Sequence, residues 1–249
     1  MLLEAKHLMV FYENALALND FSLEINPGEI VAVIGSNSAG KTTLMNTISG
    51  LILDIQLKEK RKGGERITLL GDIVFNNQAI THLPPDQRVK KGIVLCRERH
   101  PIFPESDVLE NLRIAGYLRK RSEIEGTIKF AFSLFPNLAS MKNQKAGFLS
   151  GGEQQMLTIS MALVVRPTLL LLDEPLLGLS PAMQTKLISA IKTIREETQV
   201  TLLISEQFAR PLLPMIDRGY VIENGMLTLS GSGQELMSNP EIISAYFGV

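Results

Sequence analysis

Apolar and polar positions alternate over Leu2–Leu8 and again over Phe21–Ile25, a period of two that predicts strands with one buried face. Asn26-Pro27-Gly28 then supplies a turn, so the chain is expected to open on antiparallel strands. The pattern changes at Glu29–Ile34, a short continuous apolar run of the kind a strand buried on both faces requires. A loop of Gly, Ser, Asn and Ala follows, and after it Leu44, Ile48, Leu51 and Ile52 fall at helical spacing. The order is strand, loop, helix.

Leu53–Leu70 carries Lys58, Lys60, Arg61, Lys62 and Arg66 around Gly63-Gly64 and reads as a solvated surface excursion. From Ile102 to Lys145 the composition is helical, with Leu109, Leu112, Tyr117, Ile124, Ile128, Phe132 and Phe135 in broken 3.6-residue arrays. Leu169–Leu172 predicts a buried strand, Met183, Leu187, Ile191 and Ile194 an amphipathic helix, and Val200–Ile204 another strand. Asn224-Gly225 between apolar runs is a strong hairpin signal. Strands alternating with helices imply a mostly parallel sheet, interrupted by a small helical insertion.

Composition narrows the partners. The 249 residues are 45% hydrophobic, enough for a sizeable core, and the formal net charge of -1 offers no electrostatic footprint for nucleic acid. The single cysteine, Cys96, cannot form an internal disulfide, which suits a reducing compartment. The first residues, MLLEAKHLMVFYENA, lack the basic and apolar regions of a secretory signal, so a cytosolic location is expected. No window reaches the roughly 18 to 20 uninterrupted apolar residues of a membrane-spanning helix; any membrane role would need another chain to cross. His7, His82 and His100 are isolated from one another and from Cys96, which argues against a metal site built on them.

Three short motifs carry chemistry. Gly35-Ser36-Asn37-Ser38-Ala39-Gly40-Lys41-Thr42 satisfies G-x-x-x-x-G-K-[ST] in its required setting, after a strand and before a helix. Such a loop points main-chain N–H groups at phosphates, with the lysine reaching the terminal phosphates and the Thr42 hydroxyl suited to Mg²⁺. Leu169–Asp173-Glu174 ends an apolar run in two carboxylates, which a parallel sheet delivers beside that loop. Asp173 can serve Mg²⁺, and Glu174 can polarise the water that attacks the γ-phosphate. Leu149-Ser150-Gly151-Gly152-Glu153-Gln154-Gln155 opens a helix with a capping box, and its serine and glycines also form an anion-binding surface.

Together these runs resemble the ATPase subunits of the ABC family, over Leu2 to Gly248. The resemblance implies an α/β fold: a P-loop NTPase core with a mostly parallel sheet (residues 1–95 and 148–249, including an N-terminal antiparallel β subdomain) and an inserted helical subdomain (96–147), all one ABC ATPase domain. It implies ATP and Mg²⁺ as ligands. The nucleotide would lie between the Gly35–Thr43 loop of one subunit and Ser150, Gly151 and Gly152 of a second, in a head-to-tail homo- or heterodimer. Tyr12 matches the aromatic that stacks on adenine, although a strand aromatic packed in the core fits it too. Leu176–Pro181 falls at the loop that runs along the dimer seam. Integral permease subunits, and indirectly an extracytoplasmic binding protein, are the implied partners, with the chain peripheral on the cytoplasmic face of the membrane.

The sequence departs from most of the family at Glu98, where a glutamine links nucleotide to channel and contributes to the metal site, and at Gln207, where a switch histidine is usual. F-type subunits of branched-chain amino acid importers resemble this chain at both places. Gly178, Leu179 and Pro181, Ile102-Phe103-Pro104, Glu110-Asn111-Leu112 and Asp217–Gly225 are similar to that subfamily as well. Further departures are Ser36, Ser38, Arg97, Met161 and Leu176. Gln207 can hydrogen-bond a phosphate or water but cannot take a proton as histidine can, so hydrolysis is expected to lean on Glu174, assisted by Lys41 and Gln207. A weakly hydrolysing partner of a competent paralogue, a urea or amide importer ATPase, and an ABC ATPase of DNA or ribosome are the alternatives. The last usually carries tandem domains, a coiled coil or basic tails, none of which is seen.

Overall fold

The structure is a computed structural model that describes residues 1–64, 66–97, 101–240 and Ile243. The chain runs β1 (Leu3–Tyr12), β2 (Ala15–Ile25), β3 (Ile30–Ile34), α1 (Lys41–Ser49), α2 (Leu51–Lys62), β4 (Ile67–Phe75), β5 (Gln78–Ala79), α3 (Pro85–Lys90) and β6 (Ile93–Cys96). Then follow α4 (Val108–Ala115), α5 (Arg121–Leu134), α6 (Pro136–Ser140), α7 (Gly151–Val164), β7 (Leu169–Asp173), α8 (Pro181–Thr198), β8 (Thr201–Glu206), β9 (Arg218–Glu223), β10 (Met226–Gly231) and α9 (Gly233–Ser238).

Two sheets organise these elements. The larger has the order β10-β9-β3-β8-β7-β6; it is parallel except for the β9–β10 hairpin. The turn there is Asn224-Gly225, both in the left-handed region (φ 48 and 79), as a tight hairpin requires. β3, β7 and β8 are buried at every residue, which explains their continuous apolar runs. The smaller sheet is antiparallel, β2-β1-β4-β5. The expected opening pair is therefore present, but both strands are longer than the alternation suggested. Irregular register within β1, where His7 takes φ 50, hides the period beyond Leu8.

Helices α4, α5 and α6 pack on α7, and their apolar residues Leu112, Ile128 and Leu138 join one cluster with Leu170, Leu172 and Leu187. The expected helical insertion is thus present and fused to one face of the large sheet.

The described residues of the charged 53–70 segment are exposed or half-buried, apart from the buried Ile67, but the segment is not an irregular excursion. Its first part is the C-terminal portion of α2 and its last part begins β4. The apolar spacing Leu44, Ile48, Leu51, Ile52 also spans two helices instead of one, because Gly50 between them adopts φ 82. A side chain could not be placed there: a Cβ on Gly50 would lie 2.8 Å from Arg88 Nε.

Arg88 has no exposed surface, and its guanidinium donates to the carbonyls of Leu83 (2.9 Å), Thr47 (2.7 Å), Ile48 (2.9 Å) and Thr81 (2.8 Å). Two of those carbonyls lie in the last turn of α1, where a helix leaves acceptors unmatched and its dipole favours a cation. Burial pushes the Arg88 pKa down to about 10, so the side chain remains charged at neutral pH. The arginine therefore ties the end of α1 to the start of α3. Replacing Arg88 with alanine or methionine should cost about 3 kcal/mol or more of stability, because it strips several buried carbonyls of their donor; urea unfolding midpoints measure it.

Candidate functional site

The site begins where β3 ends. The loop 35–40 leaves the sheet at Gly35, whose N–H donates to the Glu206 carbonyl at 3.2 Å, and returns at Gly40, the residue that precedes α1. Both glycines are required by space. A Cβ on Gly35 would lie 2.5 Å from the Ile222 carbonyl oxygen, and one on Gly40, at φ 110, would lie 2.6 Å from that of Ala17. Ser38 adopts φ 64 without being a glycine, a conformation that costs roughly 1–2 kcal/mol.

No side chain caps α1 and no carboxylate sits in its first turn. The N-terminal N–H groups of a helix in that condition form an anion site. Ser36, Asn37, Ser38 and Thr42 are exposed at the mouth, Gly40 and Thr43 are half-buried, and Ala39 is buried beneath. Together with Ala17, Lys41 and Glu174, several of these residues line a small open cavity.

Lys41 is 3% exposed. Its Nζ donates to the carbonyls of Gly35 (2.9 Å) and Ser36 (3.0 Å) and lies 2.9 Å from Glu174 Oε1. A buried ammonium is tolerable only with such company. Asp173, the last residue of β7, accepts a 2.6 Å hydrogen bond from Ser205 Oγ on its Oδ1, which also stands 3.4 Å from Thr42 Oγ1. A hydroxyl and a carboxylate side by side are the hard oxygen donors that Mg²⁺ prefers.

Glu174 turns away from Asp173 because its backbone is left-handed, at φ 49. Its N–H is held by Ser205, through the carbonyl at 3.0 Å and Oγ at 3.2 Å. The two adjacent carboxylates are thereby aimed at different tasks, one toward Thr42 and one toward Lys41.

Other expected site residues lie apart. Ser150, Gly151 and Gly152 sit at the start of α7, where the capping box is complete: Ser150 Oγ accepts from the Glu153 N–H and the Glu153 carboxylate accepts from the Ser150 N–H. They do not line the cavity at Lys41. Ser150 and Gly151 are exposed, and a Cβ on Gly151 would meet open space. Tyr12 ends β1, half-buried against the core cluster of the antiparallel sheet. Gln207 is half-buried, one residue past β8. Glu98 and His100 lie outside the described residues.

The comparisons with known proteins fit this geometry. Residues 18–177 match the family model described as ABC transporter. The chain belongs to the ABC transporter ATPase family. The cassette is 36% identical to the high-affinity branched-chain amino acid transport ATP-binding protein BraG of Pseudomonas aeruginosa, over 96% of each chain. It is 32% identical to the probable branched-chain amino acid transport ATP-binding protein LivF of Archaeoglobus fulgidus, covering 96% of this chain and 95% of that one. The crystal structure of the ADP conformation of MJ1267, an ATP-binding cassette of an ABC transporter, superposes with a TM-score of 0.81 at 26% identity, covering 100% of this chain and 99% of that one. Among the described residues of the cassette, no helix is long and apolar enough to cross a membrane, and no cluster of three or more His, Cys, Asp or Glu side chains forms a metal site.

Sequence reasoning missed two residues of the site, Ser205 and Glu206. Ser205 Oγ is the shared partner of both carboxylate positions. Glu206 is 4% exposed, and its Oε1 accepts from the Leu176 N–H at 2.8 Å. Burial pushes its pKa up to about 7, and nearby Glu174 adds to the rise; the N–H groups of Leu176 and Gln207 and the Lys41 charge work against it. An unfolded glutamate titrates near 4.3, so the folded cassette holds an extra proton between that pH and about 7. Its contribution to stability is full below the unfolded pKa and is lost as pH rises through the folded one. The thermal midpoint of the wild-type protein should accordingly fall by more between pH 5 and pH 8 than that of Glu206→Gln, whose neutral amide does not titrate.

Proposed function

We propose that this ABC ATPase is a motor subunit of an importer for branched-chain amino acids, peripheral on the cytoplasmic face of the membrane, and that it acts as one half of a head-to-tail ATPase pair. The observation that carries the pairing is the division of the site. Lys41, Thr42, Asp173 and Glu174 converge at one mouth, while Ser150 and Gly151 are exposed and Gly152 half-buried at the start of α7, outside the cavity at Lys41; in the proposed pair these three face the phosphates held by the other subunit. A second subunit supplies what each mouth lacks. The cargo rests on the names of the relatives, BraG and LivF, which are branched-chain amino acid transport ATP-binding proteins.

In the proposed site the backbone of Gly35 to Thr43 cradles the phosphates of ATP, and Tyr12 stacks on the adenine. Thr42 and Asp173, with Glu98, would hold Mg²⁺, which when bound neutralises charge on the phosphate oxygens. Lys41 cannot serve Glu174 and a phosphate equally. A triphosphate carries more charge than one carboxylate, so its arrival draws the ammonium away from Glu174. The carboxylate then faces the water that attacks the γ-phosphate and orients it as general base. Gln207, a donor and acceptor without proton affinity, positions that water or the phosphate. The expected insertion 96–147 begins in fact with the last residue of β6; its helices α4, α5 and α6 form the arm that passes closure and opening of the pair to integral permease subunits, which an extracytoplasmic binding protein supplies with cargo.

Two substitutions separate the roles. Lys41→Ala should abolish ATP binding or turnover, whereas Glu174→Gln should retain bound ATP while steady-state hydrolysis falls about 100-fold or more. Unchanged turnover in the Glu174→Gln protein would remove it as the base. For the cargo, the cassette is reconstituted in vesicles with the permease chains that co-purify with it. Hydrolysis is then expected to rise with a binding protein loaded with leucine, isoleucine or valine, and a response to urea alone would reassign it.

A further inference from the structure

Glu206 is buried at the end of β8, and among the described residues no cation forms an ion pair with it. Its position joins three loops of the site. Its carbonyl accepts from the Gly35 N–H where the phosphate loop leaves β3. Its carboxylate accepts from the Leu176 N–H, two residues past Glu174, and also faces the N–H of Gln207.

Glu174 needs such support. A non-glycine residue at φ 49 persists only where its surroundings over-determine it. Ser205 grips Glu174 at its own N–H, and the Glu174 carbonyl accepts from Leu177 at 3.2 Å. Between those two holds lies Leu176, itself 3% exposed, whose N–H has the Glu206 carboxylate as its acceptor. Without it that buried N–H would be left unmatched, a cost that the turn can relieve only by moving.

We propose that Glu206 is a positioning residue: by holding the Leu176 N–H it fixes the turn after Glu174 and so keeps the Glu174 carboxylate aimed into the phosphate loop. The inference rests on the ATPase reading of that site for its kinetic consequence, but not for its structural one.

The test compares Glu206→Leu and Glu206→Gln with wild type in the full chain, by steady-state ATP hydrolysis and by amide hydrogen exchange at Leu176. Leucine removes the acceptor, and glutamine keeps it in the same place. The Leu variant should lose kcat by about tenfold or more, since small misplacements at a reacting centre cost at least that, with the KM for ATP nearly unchanged, and its Leu176 amide should exchange faster. The Gln variant should restore both. Wild-type kcat in the Leu variant, a Gln variant as impaired as Leu, or a Leu176 amide that exchanges freely in wild type would each overturn the proposal. Should Glu206→Leu fail to fold, protection of the Leu176 amide in wild type and in Glu206→Gln decides the matter. A wild-type protein without hydrolysis would count against the proposed function alone, and the amide comparison would still judge the role of Glu206.

Discussion

An ammonium buried to 3% exposure must be surrounded by oxygen, and at Lys41 that demand organises the site. Two of the oxygens are carbonyls of the loop itself, so the loop curls over its own lysine. The third belongs to Glu174, delivered from β7. The strand order follows from the same need. β3 carries the loop, β7 carries the carboxylates, and β8 lies between them with Ser205 opposite Asp173 and Glu206 opposite Ile34. A one-residue slip of β8 against β7 would turn Ser205 away from Asp173, and one of β8 against β3 would turn Glu206 away from its place opposite Ile34.

Local chemistry made part of this legible in advance. The phosphate loop and the acidic pair could be read because glycine, lysine, threonine and two carboxylates at fixed spacing, bounded by a buried strand and a helix, have few other uses. The capping box at Ser150 was readable for a similar reason, since both of its bonds span three residues. Tyr12 stands at the end of β1, half-buried against the core of the antiparallel sheet.

What escaped was set by long-range partners. Arg88 stands in a polar run, DQRVKK, and its burial depends on carbonyls roughly 40 residues upstream in α1. Glu206 lies beyond the expected strand Val200–Ile204, and its partner N–H is on a turn 30 residues earlier. β4 was hidden because Gly71, at φ 95, breaks its alternation. α2 was hidden because its exposed half is nearly all charge, and a helix with one thin apolar edge leaves little period to find. The charge of the 53–70 segment thus misled in one respect: a supposed surface excursion is in part helix.

The left-handed backbone at Glu174 has an evolutionary consequence. A glycine there would relieve strain and an asparagine would tolerate it better, so what recommends a glutamate at that position is its carboxylate, the 2.9 Å partner of the buried Lys41 ammonium. A lineage of this cassette that loses the carboxylate at residue 174 leaves a buried ammonium without its anionic partner, so residues 41 and 174 would be expected to change together, whereas Gly35 and Gly40 are held by space alone. The identity of residue 174 in any descendant is then legible only beside that of residue 41.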